Sequence, residues 1–203
     1  MSLNIAIVGA GAIGGYLGVK LALSGNHVTF IARGENLKAI QANGMTLNLE
    51  DGTSLHAPNV KACTIDEATP HDYVFLTMKS HQVSPVAEQI GRLCHDNTAV
   101  VTLQNGVPWW YFYNNQGSLN NYKIRCVDQD SLQWNLITPD RIIGCVVYPA
   151  TEILKPGVIK HIEGNRFSLG EPNGMKSERI LNISKALISA GFKAPIRSNI
   201  RQD

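Results

Sequence analysis

The sequence predicts an α/β fold in which a mostly parallel sheet is flanked by helices. Short apolar runs at 5–8, 72–78 and 99–103 have the length and continuous apolar character of buried parallel strands. Apolar residues at helical spacing follow the first run, from 12 to 24. Strands that alternate with helices are typical of a doubly wound sheet.

A glycine-rich turn follows the first apolar run, where GAGAIG occupies 9–14. This pattern also occurs for conformational reasons alone, but its place between a strand and a helix favours a Rossmann-type nucleotide site. In such a site the glycines allow a tight turn, a close approach to a pyrophosphate and tight packing of helix on strand. Helix N–H groups then face the phosphates. The predicted binding residues are Gly9, Ala10, Gly11, Ala12, Ile13 and Gly14.

Composition narrows the class of partner. The chain has 203 residues and a formal net charge of +2, without a basic cluster, so we expect small-molecule partners and no nucleic acid. No apolar run reaches the roughly 18 residues that span a bilayer, and we expect no membrane association. The four scattered cysteines form no CxxC pair, which indicates reduced thiols in a cytoplasmic protein.

The end of the second predicted strand indicates which nicotinamide cofactor is bound. An NAD site usually has an acidic residue there to bind the ribose hydroxyls. This chain has Ala32-Arg33-Gly34 after the strand 27–32, and Arg33 offers a planar set of donors to the 2′-phosphate of NADP. The alternative is a solvated arginine in a turn. Glu35 is expected to open the helix 36–43 instead of binding ribose.

Polar residues follow the next two predicted strands at their carboxyl ends, where ligands of open α/β sheets bind. Lys79 comes after 72–78 and could reach cofactor phosphate, ribose or a substrate carboxylate; the alternative is a surface lysine. Asn105 follows 99–103 and could contact both the nicotinamide end and a small polar substrate, although Asn-Gly is also an ordinary turn signal. His81 has no carboxylate nearby in sequence to orient it, so we interpret it as structural.

The remaining pattern predicts further elements. We expect a β-hairpin over 45–57, as an edge excursion of the sheet, and a second hairpin that joins 158–163 to 166–170. Helices are expected over 84–93 and 177–190, and a last short strand over 192–196.

Taken together, several motifs resemble the N-terminal domain of the ketopantoate reductase (2-dehydropantoate 2-reductase) family. The resemblance covers nearly the whole chain, and the order and spacing of the motifs make it specific. The motifs are GAGAIGG, Ala32-Arg33-Gly34, Lys79-x-x-Gln82, Gln104-Asn105-Gly106, the segment from Gly144 to Ala150, the segment from Pro156 to His161, and Phe167-Ser168-Leu169-Gly170-Glu171.

The resemblance implies NADPH-dependent reduction of 2-dehydropantoate to (R)-pantoate, a step towards pantothenate and coenzyme A. It assigns the glycine turn to the pyrophosphate, Arg33 to the 2′-phosphate, and a place near the cofactor to Lys79. Asn105 touches cofactor and substrate by the same comparison, and the backbone of Ala150 lines the nicotinamide pocket. Hydride transfer to a keto carbon also needs a proton donor for the forming alkoxide.

The proton donor of the resembled family is a lysine in a Trp-x-Lys-Leu segment of a helical C-terminal domain. No lysine of this chain has that context. We therefore expect residues 1–203 to be the NADP-binding domain, with the catalytic helical domain following residue 203 and no catalytic residue in this chain. Such a piece would be inactive alone and could self-associate as a homodimer through its bared interface.

An aromatic segment, 107–141, departs from the family pattern. It contains a run from Trp109 to Tyr113, an Asn/Gln/Gly stretch and Trp134. These aromatics either cover the cofactor mouth or a partner surface, or cap the sheet and pack on one another, and we favour the second alternative. The departure leaves open a second function, that of an NADP-dependent dehydrogenase of another small 2-oxo acid. A third alternative is a non-catalytic NADPH-binding module.

Overall fold

The computed structural model describes residues 2–203, which form eleven strands and five α-helices. In chain order they are β1 (Asn4–Val8), α1 (Ala12–Leu23), β2 (His27–Ile31), α2 (Gly34–Asn43), β3 (Met45–Asn48), β4 (Ser54–Ala57), β5 (Lys61–Cys63), β6 (His71–Leu76), α3 (Ala87–Arg92), β7 (Cys94–Thr102), α4 (Leu132–Leu136), β8 (Ile142–Val147), β9 (Ala150–Lys155), β10 (Val158–Glu163), β11 (Phe167–Gly170) and α5 (Glu178–Ser189).

Seven strands form the main sheet, in the order β11-β8-β7-β6-β1-β2-β5. Neighbours from β8 to β5 pair in parallel, and β11 pairs antiparallel with β8 at the edge. The strand β1 lies between β2 and β6, with Ile5 opposite Val28 and Tyr73. A mostly parallel sheet was predicted, and this topology confirms it.

Helices and loops cover both faces of the main sheet. On one face, Ile5 and Ile7 join a core that includes residues of α1, α2 and α5. On the other face, Ala6 and Val8 pack with residues of α3 and with buried Trp109 and Trp110. The alternation follows from the pleat, which points successive side chains of a strand to opposite faces. Because both faces are covered, the strands read as continuous apolar runs.

A second sheet, in the order β4-β3-β10-β9, lies against α1 on the side away from the main sheet. A Cβ placed on Gly14 would lie 2.9 Å from Ile7 Cγ2 of β1, and one placed on Gly15 would lie 2.4 Å from Ile159 Cγ1 of β10. Real carbon atoms do not approach so closely. The missing side chains therefore allow α1 to lie as a thin layer between two sheets.

Two predictions about strand pairing are wrong. The segments 158–163 and 166–170 do not form a hairpin: β10 pairs with β3 and β9 in the second sheet, whereas β11 pairs with β8 in the main sheet. Gly164, with φ +77, turns the chain from one sheet to the other. The hairpin over 45–57 does form, as β3 and β4, but it belongs to the second sheet instead of the edge of the main one.

Two other predicted elements are shorter than expected. The helix over 84–93 begins as a 3₁₀ turn at Ser84–Val86, and Val86 leaves the helical region before α3 starts. The strand over 192–196 makes only isolated bridges, from Lys193 to Arg166 and from Ile196 to Leu169. In both cases the local sequence pattern located the element correctly, whereas its length depends on the segments that pack against it.

The aromatic segment 107–141 packs on itself and on the sheet, as favoured from the sequence. Trp134 meets Trp109 and Tyr113 edge to face, with ring centroids 6.1 and 5.9 Å apart. The indole Nε1 of Trp110 donates to Thr102 Oγ1 of β7 at 3.0 Å. The segment therefore covers the face of the sheet opposite α1.

The close packing at Gly15 can be tested by adding one methyl group. We expect Gly15→Ala to lower the free energy of unfolding by about 1–3 kcal/mol, measured by urea denaturation, because the methyl overlaps Ile159. In the double variant with Ile159→Ala the methyl has room, so the cost of adding it should vanish. Unchanged stability of Gly15→Ala would contradict this packing.

Candidate dinucleotide-binding site

Most of the predicted site residues lie along one edge of the main sheet. The strands β2, β1, β6, β7 and β8 are parallel neighbours, so their carboxyl ends meet there. Gly9 follows β1, Arg33 follows β2, Lys79 follows β6 and Asn105 follows β7. Ligands of open α/β sheets bind outside this edge.

The glycine turn between β1 and α1 places the start of α1 at this edge. Gly9 has φ +102, a backbone conformation that side chains disfavour, and its N–H donates to Ile31 O of β2 at 3.1 Å. Gly11 precedes the helix, and its carbonyl accepts the bond from Gly15 N. The N–H groups of 12–14 have no acceptor within the helix, and no acidic residue lies in the first turn. These groups and the helix dipole favour an anion.

Two side chains that the sequence interpretation missed hold the turn in place. The hydroxyl of Thr77 donates to Gly9 O at 2.6 Å. The amide of Asn36 donates to Ala10 O at 2.7 Å. The sequence offers only their positions as a signal: Thr77 lies directly after β6, and Asn36 lies in the first turn of α2. Their contacts join residues that are 68 positions apart for Thr77 and 26 positions apart for Asn36.

Arg33 lies beside the glycine turn at the N-terminus of α2. It precedes Gly34 with an extended backbone, and its side chain is exposed. Within residues 2–203 its guanidinium makes no salt bridge. Glu35 lies in the first turn of the helix, as expected from the sequence, and its carboxylate pairs with Lys38 Nζ at 3.0 Å. The geometry leaves Arg33 available to an incoming anion.

Asn105 is tied to the neighbouring strand by both ends of its amide. Its Nδ2 donates to Val147 O at 2.9 Å, and its Oδ1 accepts from Val147 N at 3.1 Å. The preceding Gln104 donates to Leu76 O and Met78 O, so the two amides link the ends of β6, β7 and β8. One N–H and one oxygen lone pair of Asn105 remain for a ligand, in a fixed orientation.

Lys79 and Ala150 lie at the same edge of the main sheet, but in the described part of the chain no hydrogen bond holds the side chain of either. The side chain of Lys79 is exposed, and its backbone N–H donates to Gln82 Oε1 at 2.9 Å, which fixes the short turn after β6. Ala150 begins β9, opposite Glu163, and is half-buried. It follows the end of β8, where Asn105 is anchored. His81 is exposed.

A cavity of about 380 Å³ opens beside Asn105, between the ends of β7 and β8 and the aromatic segment. Trp110 and Tyr111 line it, and so does Arg201, whose guanidinium donates to the carbonyl oxygens of Tyr111, Tyr113 and Pro172. A larger cavity of about 1070 Å³ lies at the amino ends of β1, β2 and β6. It is remote from the glycine turn, so volume alone does not identify the site.

Two of the cysteine thiols, Cys94 and Cys145, have a perturbed pKa. Burial raises the pKa of the Cys94 thiol to about 11, and it also raises the pKa of the Cys145 thiol, which lines the smaller cavity. Both are protonated near neutral pH. Within residues 2–203 there is no cluster of three His, Cys, Asp or Glu side chains that could hold a metal ion, and no helix long and apolar enough to cross a membrane.

The fold and the glycine turn define a Rossmann-type domain, the class that binds dinucleotides across the carboxyl edge of its sheet. A family model described as ketopantoate reductase PanE/ApbA matches residues 5–174. The chain therefore belongs to the ketopantoate reductase family, and the resemblance noted from its motifs is confirmed.

Individual relatives agree with this membership. The chain is 48% identical over 202 residues to a 2-dehydropantoate 2-reductase of Mesorhizobium japonicum. The match covers 99% of this chain and 62% of the relative. A crystal structure from Ralstonia solanacearum MolK2, assigned as a ketopantoate reductase, has a TM-score of 0.93 at 37% identity and covers 100% of this chain and 63% of that one. A 2-dehydropantoate 2-reductase from Geobacter metallireducens has a TM-score of 0.78 at 29% identity, covering 97% of this chain and 58% of that one. The chain thus spans about three fifths of the length of these relatives.

The anchoring of Asn105 predicts a specific pH effect. In Asn105→Asp a carboxylate oxygen replaces the donor that faces Val147 O, so we expect a loss of about 0.5–1.5 kcal/mol in the free energy of unfolding at neutral pH. The pKa of the new carboxyl should be raised, because only its protonated form can donate. The difference from the unsubstituted chain should therefore shrink as pH falls towards about 4.

Urea denaturation over a range of pH measures this difference, with Asn59→Asp at an exposed position as the matched control. A loss that is independent of pH, or equal in the control, would mean that the amide does not hold β7 to β8.

Proposed function

We propose that this chain is the NADPH-binding part of a 2-dehydropantoate 2-reductase, which reduces 2-dehydropantoate to (R)-pantoate in the synthesis of pantothenate and coenzyme A. The observation that carries the proposal is the pairing of two features: an acid-free helix N-terminus with unpaired N–H groups, and an exposed arginine at the end of β2. Family membership supports the reaction, and the site supports the cofactor.

The residues present fit a phosphorylated dinucleotide. In the proposal the backbone of the turn from Gly9 to Gly14 binds the pyrophosphate, where any Cβ on Gly14 would lie 2.2 Å from Gly9 O. Arg33 binds the 2′-phosphate through a bidentate, charge-assisted contact. Lys79 lies near the cofactor, and the backbone of Ala150 lines the nicotinamide pocket. When bound, the nicotinamide supplies the hydride.

The substrate end of the proposed site is the cavity beside Asn105. The remaining N–H of the Asn105 amide points a fixed donor towards a small polar ligand, and its remaining lone pair provides an acceptor. Such a preorganised amide can hold a 2-oxo acid without reorganising during the reaction. We propose that Asn105 contacts both cofactor and substrate.

The proton that the forming alkoxide needs is proposed to come from outside these 203 residues. The relatives are longer than this chain, which spans 62% of the Mesorhizobium protein. We propose that a lysine of a helical C-terminal domain is the donor, so this chain binds coenzyme but does not complete catalysis. The cytoplasmic location and the homodimer expected from the sequence stay predictions.

A second candidate, reduction of a different small 2-oxo acid, is favoured by the aromatic segment. Trp110 and Tyr111 line the cavity beside Asn105, and an aromatic wall suits a substrate with an apolar side chain. A non-catalytic NADPH-binding module is the third reading of the same site. The two enzymatic functions share the coenzyme site and differ only in the acyl group that the cavity accepts.

Arg33 decides the choice of coenzyme in this proposal. We expect Arg33→Ala to weaken NADPH binding by roughly ten- to a hundredfold, because a charge-assisted contact to the 2′-phosphate is lost. NADH lacks that phosphate, so its dissociation constant should change less than twofold. Isothermal titration calorimetry of the chain measures both. Lys38→Ala, an exposed cation on the same helix, is the matched control. Equal losses for both coenzymes would remove Arg33 from this role.

The reaction itself is tested on a protein that includes the helical domain. We expect oxidation of NADPH, followed by its absorbance, with 2-dehydropantoate, and no oxidation by the 203-residue chain at equal concentration. Parallel assays with phenylglyoxylate test an aromatic 2-oxo acid. Turnover with phenylglyoxylate but not with 2-dehydropantoate would replace the first function by the second, and binding without any turnover would favour the non-catalytic module.

A further inference from the structure

Asn36 joins three segments of the molecule through one side-chain amide. It is the third residue of α2 and is half-buried. Its Nδ2 donates to Ala10 O in the glycine turn at 2.7 Å, and its Oδ1 accepts from Gly157 N in the turn between β9 and β10 at 2.9 Å. Both ends of the amide are therefore used within the protein.

The bond to Ala10 fixes the peptide that leads into α1. The carbonyl of Ala10 and the N–H of Gly11 belong to the same planar peptide unit and point in opposite directions. Asn36 holds the carbonyl, and Gly11 N donates to Gly9 O at 2.7 Å. Gly9 O in turn accepts from Thr77. With this peptide held on both sides, the free N–H groups of 12–14 have one defined direction.

The same residue connects the two phosphate-binding elements. Arg33 precedes α2, and Asn36 lies one helical turn later on that helix. The amide of Asn36 therefore links the helix that follows Arg33 to the glycine turn. No other side chain of α2 bonds to the glycine turn in the described part of the chain.

The bond to Gly157 brings the second sheet to the same place. Gly157 has φ +75 and lies in the tight turn before β10, and its carbonyl accepts from Thr46 of β3. Ile153 of β9 lies 4.0 Å from the position that a Cβ on Gly11 would take. The second sheet is therefore anchored against the mouth of the glycine turn, and Asn36 is one of its anchors.

We propose that Asn36 is a positioning residue for the coenzyme, which presets the Ala10–Gly11 peptide so that the start of α1 binds the pyrophosphate. This inference rests on the proposed coenzyme site and deepens it. It assigns Asn36 to the part of the ligand that NADPH and NADH share, whereas Arg33 acts on the part in which they differ.

The variant Asn36→Leu removes both hydrogen bonds and keeps the side-chain size. We expect it to weaken NADPH and NADH alike, by roughly three- to tenfold, because the start of α1 loses its fixed direction. Adenosine 2′-monophosphate has the 2′-phosphate but no pyrophosphate, so its affinity should change less than twofold. Isothermal titration calorimetry of the chain measures all three ligands.

Two further variants separate positioning from general stability. Asn36→Asp keeps an acceptor for Gly157 N but cannot donate to Ala10 O when ionised, so it should weaken the binding of both coenzymes. Because it keeps one of the two hydrogen bonds, its unfolding midpoint should fall less than that of Asn36→Leu. Gln41→Met, on the same helix, removes the bond from Gln41 Nε2 to Ala62 O, which is not part of the site, and should leave binding unchanged.

Unchanged coenzyme binding in both Asn36 variants overturns the inference, and so does an equal loss for adenosine 2′-monophosphate, which would place the effect at Arg33. Failure of the unsubstituted chain to bind either coenzyme overturns the proposed function itself, and the two failures are distinct. Weakening of both coenzymes with an unaffected 2′-monophosphate supports the positioning role.

Discussion

The structure depends on the close approach of α1 to β1 at the glycine turn. A side chain on Gly14 would collide with Gly9 O at 2.2 Å and with Thr77 Oγ1 at 2.6 Å, and one on Gly15 would collide with Ile159 of the second sheet. Because these positions lack a Cβ, the helix lies between two sheets and starts at the edge where the parallel strands end. Its unpaired N–H groups consequently lie at that edge.

Hydrogen bonds from uncharged side chains hold the segments at the carboxyl edge of the main sheet in place. Thr77, Asn36, Gln104 and Asn105 each bond to backbone groups of a neighbouring segment, and together they fix the glycine turn and the ends of β6, β7 and β8. Side chains whose own bonds lock them in place hold a binding geometry better than free ones. The cationic Arg33 stays exposed beside them, available to a phosphate.

The sequence predicted the elements that local patterns encode. Continuous apolar runs marked the parallel strands, and the glycine spacing marked the turn, because each depends on a few adjacent residues. Pairing was harder: β10 and β11 have the alternation of a hairpin, yet Gly164 sends them to different sheets. Asn36 was missed for a similar reason. An asparagine in a first helical turn is unremarkable until the fold brings Ala10 and Gly157 to it.

The aromatic segment shows how an unusual sequence serves an ordinary structural purpose. Trp109 and Trp110 are buried against the sheet, and their neighbours pack edge to face. Trp110 and Tyr111 also line the cavity beside Asn105, so the segment contributes both to the core and to the proposed substrate cavity.

In the proposed coenzyme site, the N–H groups at the start of α1 bind the pyrophosphate while Arg33 binds the 2′-phosphate. Amide chemical shifts of the ¹⁵N-labelled chain, recorded during titration with NADPH, test it most directly. We predict saturable shifts for the amides of 11–14 and for the side chain of Arg33, with the amino ends of β1 and β2 unaffected. Shifts confined to the large cavity at those amino ends, or none at the glycine turn, would contradict the account.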